Sequence, residues 1–161
     1  MIPLTPTIKT FPATKFIGKK LAFSYSDYRI GALWSSFMPR KHEIQNQLSQ
    51  DLFNIQVNPI GFSFQPDEIF VKWAAVSVSN FDFVPNEMEI LEIPEGLYAV
   101  FLHKGDASKA RETFGYIFGI WLPNSEFELD QRPHFEILGG KYKNNDPNSE
   151  EEIWIPIKSK N

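Results

Sequence analysis

In the stretch RPHFEILGG, Arg132 to Gly140, an imidazole and a carboxylate stand two positions apart, at His134 and Glu136. That H-x-E spacing occurs in zinc deaminases, but their site also needs a P-C-x-x-C pair of thiolates, and this chain has no cysteine. The other histidines, His42 and His103, are distant in sequence, and no HExxH or GxSxG motif occurs. No metal-ligand set and no cofactor is therefore expected. GxGxxG and P-loop patterns are also missing, and Gly139-Gly140 reads as a strand-ending turn. What remains is a carboxylate, able to act as a general base or to anchor a cation. Strand alternation puts His134, Glu136 and Leu138 on one face and Phe135 and Ile137 on the other. On local pattern alone the balance favours a glutamate facing water. Trp34, Trp73, Trp121, Trp154 and Tyr98 carry the same ambiguity between core filler and ligand wall.

The elements that must position these residues can be read from periodicity. Thr14 to Tyr25 suits a strand. SDYRIGALWSSFMPR suits a helix, capped by Ser26 or Asp27 and ended by Pro39, with Ile30, Leu33, Trp34 and Phe37 on one face. IGFSFQ and FVKWAAVSVS read as two further strands. The second half runs in the same order. EMEILEI and GLYAVFLHK are strands around a Pro94-Glu95-Gly96 turn. DASKARETFGYIFGIWLP is a helix capped by Asp106 or Ser108, with Phe114, Ile117, Phe118 and Trp121 on one face. HFEILGG and EEEIWIPIK are strands joined by the polar loop GKYKNNDPNSE, whose composition predicts mobility.

Strand, helix, strand, strand thus occurs twice, over about 14–80 and 86–158. Local words agree as well: LWSSFMP with IFGIWLP, NPIGFSFQ with RPHFEILG, and VKWAAVS with EIWIPIK. These align Trp34 with Phe118, Phe62 with Glu136 and Trp73 with Trp154. A duplicated unit predicts an α+β fold of pseudo-two-fold β-α-β-β repeats. Its antiparallel sheet would carry two helices and a central cleft where the halves meet. Residues 14–161 form the single domain and 1–13 an N-terminal extension.

Composition narrows the function. The 161 residues suffice for a real core, and 15% of them are aromatic, enough to line a pocket as well as fill one. A net charge of −4 without a basic stripe gives no footprint for nucleic acid. No apolar run approaches membrane-spanning length and no signal peptide is legible, so no membrane partner is expected. The lack of cysteine fits a reducing, cytoplasmic setting.

The segment MEILEIPEGLYAVFLHKGDASKARETFGYIFGIWLPNSEFELDQRPHFEILGG, with the later EEEIWIPIK, resembles the GyrI-like, or AraC-type effector-binding, domain of SOUL-like duplicated fold. The resemblance rests on Ile93-Pro94 with Gly96, Tyr98 to Phe101, His103 with Gly105, and Trp121-Leu122-Pro123 with Ser125. It continues through Phe127-Glu128, Pro133 with Phe135-Glu136, and Ile155-Pro156-Ile157. The chain departs at Leu138, where an aromatic is common, and at Asp106, where proline is common.

The resemblance implies a bacterial, stand-alone relative of the sensing domains of multidrug-responsive transcription regulators. It also moves Glu136 from the wet face into a cleft, with Phe135 and Ile137 packing beneath, against the helices. Amphipathic aromatic or cationic small molecules would bind there, with Glu136 as ionic anchor and Trp34, Phe62, Tyr98, Trp154 and His134 around it. Two alternatives accompany this. One is a hydrolase of electrophilic cyclopropane-type compounds, with Glu136 as base and Tyr98 as its partner. The other is a protein-interaction module, such as a gyrase modulator, with a protein partner or a second copy of the chain as ligand.

Overall fold

The structure, a computed structural model, describes residues 5–105, 109–139 and 150–161. The strands are β1 (Thr7–Phe11), β2 (Thr14–Phe23), β3 (Leu52–Val57), β4 (Phe70–Val78) and β5 (Glu89–Ile93). They continue with β6 (Gly96–Lys104), β7 (Phe127–Leu129), β8 (His134–Leu138) and β9 (Glu150–Ser159). Helix α1 spans Ile30–Phe37 and α2 spans Ala110–Tyr116. A π-helical turn, Ile117–Trp121, extends α2. No described helix is long and apolar enough to cross a membrane.

The main sheet is antiparallel and runs β1-β6-β9-β8-β3-β4-β2-β5, with β7 paired to β9. This order is a palindrome of the duplication. β2, α1, β3 and β4 correspond to β6, α2, β8 and β9, and the pseudo-two-fold lies between β3 and β8. The strand before each unit crosses to the other half: β1 pairs with β6, and β5 pairs with β2. Residues 7–11, expected in an extension, therefore belong to the sheet.

These crossings force curvature. Pro12 and Ala13 alone separate β1 from β2, yet β1 is the first strand of the sheet order and β2 the last but one. Three Cα steps reach at most about 11 Å, so the ends must curl together. Gly18 permits a tight crossing within that curl, since a Cβ there would run into the Ala74 carbonyl and Ala75. The inside of the curl is a buried, largely aromatic cluster drawn from all eight strands of the main run, including Phe11, Phe16, Phe53, Trp73, Ile93, Tyr98, Phe135 and Trp154.

Both helices pack on the outer face. Leu33 and Phe37 of α1 cover Ile17, Ala74 and Val76, while Ile117, with Phe114 and Phe118, covers Ala99, Phe101, Ile153 and Ile155. Each helix sits over its own half, which leaves the central strands β3 and β8 uncovered between them.

Three local expectations change. IGFSFQ is loop, with Gly61 and Phe64 at positive φ, and the strand of that repeat is Leu52–Val57. Helix α1 starts at Ile30 without a side-chain cap; Ser24 Oγ instead accepts from the Asp27 amide. Phe135 and Ile137 pack into the inner cluster and not against the helices, because the helices lie on the cleft side of the sheet. The expected caps Asp106 and Ser108 fall outside the described residues, as does the loop from Gly140 to Ser149.

Candidate functional site

A cavity of about 900 Å³ opens between the helices over β3 and β8, large enough for a drug-sized ligand. The segment before α1 supplies Tyr25 and Tyr28 to its wall, and α1 supplies Trp34. Across from them stand Phe114 and Phe118, with Phe64 from the β3–β4 loop. The floor is polar. Asn54 and Gln56 of β3 pair with Glu136 and His134 of β8, and Lys72 of β4 and Glu151 of β9 complete it.

The floor concentrates ionisable groups where burial is costly. Glu151 is 8% exposed and Lys72 is 5% exposed. Burial, then the Glu136 charge and a hydrogen bond with Glu136, holds the Glu151 carboxyl well above its ordinary range, against the pull of Lys72. Burial lowers the Lys72 ammonium, opposed by Glu136 and Glu151. Burial, then Lys72 and Arg132, pushes the His134 imidazole down to about 3, so it is neutral. The Tyr28 hydroxyl, raised by burial and then by Glu136, keeps its proton. Gln56 Nε2 donates to Tyr25 Oη at 3.0 Å and to Asn58 Oδ1 at 2.8 Å, tying the rim to the floor.

Phe64 is held by a compact clasp. The Glu68 carboxylate accepts from Ser63 Oγ at 2.6 Å, from the Ser63 amide at 3.1 Å and from the Gln65 amide at 2.9 Å. This fixes the intervening Phe64 at φ 60°, a conformation costly for a bulky side chain. Its ring lies 5.4 Å from Phe118 and 6.3 Å from His134, roofing one side of the cavity.

Of the residues singled out in the sequence, Glu136, His134 and Trp34 line the cavity together. Trp154 borders it on the strand beside Glu136, but its indole packs inward against Phe11, Tyr98 and Phe135. Tyr98 lies apart. It is fully buried in the inner cluster, and its hydroxyl donates to the Pro133 carbonyl at 2.8 Å. Burial holds that phenol up at about 12. The cause is parity: Tyr98 pairs with Pro156, one step from the Ala99–Ile155 pair that faces α2. Phe62 is not among the lining residues and packs on Phe64 and Phe70. Its alignment with Glu136 fails because its segment is not the repeat's strand. Sequence reasoning missed Lys72, Glu151, Asn54 and Gln56. The signal was there: LFNIQV sets polar side chains at alternate positions of an apolar strand, and FVKWAAV sets one lysine inside an apolar run. Among the described residues no cluster of three or more His, Asp or Glu side chains could hold a metal ion.

A curled antiparallel sheet bearing two helices, with a ligand-sized aromatic cavity on its pseudo-two-fold axis, defines a small-molecule-binding fold. The chain matches the family model of the GyrI-like small molecule binding domain over residues 4–158, and it belongs to that family. It is similar to the transcriptional regulator BrlR of Pseudomonas aeruginosa, at 31% identity over 148 residues, 91% of this chain and 53% of the regulator. The chain thus spans about half the length of the curated relative it matches. Among solved structures, SAV2435 bound to tetraphenylphosphonium superposes with a TM-score of 0.72 at 14% identity, over 95% of this chain and 93% of that one. The EcmrR chain of a DNA complex superposes at 0.75 and 14% identity, over 99% of this chain and 59% of that one. A hydrolase from Listeria innocua superposes at 0.60 and 13% identity, over 97% and 93%. At these identities the three structures establish the fold alone.

Proposed function

We propose that the cavity binds amphipathic aromatic cations, with Glu136 as their charge partner, and that the domain acts as an effector sensor in the cytoplasm. The observation that carries this reading is a carboxylate on the floor of a cavity walled by Trp34, Phe64, Phe114, Phe118 and two tyrosines. A carboxylate there loses hydration, and a cation compensates it by pairing while its charge also meets aromatic faces, worth roughly 0.5–2 kcal/mol each. Flat walls and one charge ask little of ligand shape, which suits many related ligands. The tetraphenylphosphonium carried by SAV2435 supplies a matching probe. Titration of tryptophan fluorescence with tetraphenylphosphonium should show saturable binding, weakened at least tenfold by Glu136→Gln. Binding that survives this substitution unchanged sinks the anchor role.

A second reading is favoured by one observation, two carboxyls, Glu136 and Glu151, on one cavity floor, able to serve as base and acid. It is hydrolysis of an electrophilic cyclopropane-type compound. Tyr98 is on the wrong face to assist, so Tyr28, whose hydroxyl feels the Glu136 charge, takes that place. Hydrolysis left intact by Glu136→Ala would exclude it.

A further inference from the structure

The cavity floor holds a second carboxyl beside the proposed anchor. Glu151 sits on β9 two residues before Ile153, which pairs with Glu136, so both glutamates face the cavity side of the sheet. They are diagonal neighbours on one face of adjacent strands, close enough for two buried carboxylates to repel unless the pair holds a proton.

The groups facing the pair come from every surrounding element. Lys72 approaches from β4 and His134 shares β8. His103 lies opposite Glu151 on β6, with its Nδ1 2.8 Å from Thr113 Oγ1. Tyr25 and Tyr28 stand before α1, and Arg111 borders the cavity from α2. Lys72, buried with the pair, balances one carboxylate, while Arg111 is exposed at the rim and screened by water. The second carboxyl therefore stays neutral on the buried floor until a cation enters beside it.

We propose that Glu151 is a specificity-determining residue that stores a proton in the ligand-free cavity and releases it to solvent when a cation enters. This rests on the cation-binding reading above. The balance is simple: the carboxyl pair holding one proton, plus one monovalent cation, gives two carboxylates, the bound cation and one free proton. Uncharged aromatic ligands leave the proton in place. The cavity thus presents a neutral floor to neutral ligands and an anionic floor to cations. The raised affinity of the Glu151 carboxyl for its proton agrees with this role.

The test is calorimetry of tetraphenylphosphonium binding near neutral pH in phosphate and in Tris, buffers of very different ionisation enthalpy. About one proton should be released per cation bound, with affinity rising up to about tenfold per pH unit above the ordinary carboxylate range. Glu151→Gln should abolish both the release and the pH dependence at whatever affinity remains. Lys72→Met should keep the release, which excludes the ammonium as its source. Binding without proton release in the wild type overturns the inference and leaves the binding reading standing. Release that persists in Glu151→Gln overturns it too, and no binding at all overturns both. Independently of any ligand, the Glu151 carboxyl carbon followed by NMR should titrate above neutral pH; a carboxyl already ionised at neutral pH also overturns the inference.

Discussion

Lys72→Met is the most informative single change to the cavity. The ammonium is buried on the floor, on the same side as Glu136 and Glu151. A cation entering the cavity must approach it. A sphere of 900 Å³ has a radius of about 6 Å, so a ligand charge at the centre and an ammonium on the wall repel by about 3 kcal/mol at an effective dielectric near 20, and by about 0.7 kcal/mol in water. Methionine keeps the length and apolar stem of lysine and removes the charge. Tetraphenylphosphonium should therefore bind about 3- to 100-fold more tightly to Lys72→Met. Removing the ammonium also lets the carboxyls hold protons more strongly, which opposes the gain; titration at about pH 8 limits that offset. The fold should persist, since trading a buried charge for an apolar group of similar volume is commonly neutral or stabilising. Weaker cation binding by Lys72→Met, with an unchanged melting temperature, would refute the reasoning. It would mean that the ammonium serves chiefly to hold negative charge on the floor.

Three further outcomes follow from the geometry. Tyr98→Phe removes the bond to the Pro133 carbonyl inside the inner cluster and should cost about 1–3 kcal/mol, a drop of several degrees in melting temperature, while tetraphenylphosphonium affinity stays within twofold; a large affinity loss would return Tyr98 to the site. Glu68→Ala frees the loop that holds Phe64 over the cavity, so stopped-flow fluorescence should show several-fold faster ligand dissociation with little change in stability. Stability should bend with pH in two senses. His134 is depressed in the folded state, so stability should fall as pH drops from 6.5 toward 3, a limb that His134→Gln flattens. Glu151 is raised, so its contribution is fully present below the ordinary glutamate value of 4.5 and is lost as pH rises through the folded value. Glu151→Gln should therefore flatten the alkaline limb in thermal melts.

The duplication was legible because it repeats where packing demands it. Trp73 and Trp154 were aligned from VKWAAVS and EIWIPIK, and they do occupy equivalent places, each inside the curl under a lysine. The apolar faces of both helices were legible for the same reason. Error entered where two segments competed for one strand. IGFSFQ alternates aromatic and small residues and imitates a strand, but Gly61 and Phe64 adopt left-handed backbone and turn it into a lid. LFNIQV alternates as well, but its outward Asn54 and Gln56, the polar floor of a cavity, read like an ordinary solvent face. Tyr98 was misplaced by one step of parity, which no local motif reports.

The same registers show how a symmetric frame makes an asymmetric site. With Trp73 set on Trp154, Gln56 corresponds to Glu136, Asn54 to His134, Lys72 to Ile153 and Phe70 to Glu151. Glu136 and Gln56 thus began as matching positions, one now a carboxylate and the other an amide. Both carboxyls sit in the second half and the ammonium in the first. Symmetry explains why a cavity forms where the halves meet, since each helix covers its own strands and neither reaches the axis. It does not explain the charge, because a symmetric floor would place like groups opposite one another, and like charges there would repel at a few ångströms. Divergence of the two halves removes that cost and leaves a floor with a negative and a positive side. A Gln56→Glu variant tests this step. Restoring the symmetric pair should add a third carboxyl to the floor, lower the melting temperature at alkaline pH more than at acid pH, and, where the added carboxylate is ionised, tighten cation binding.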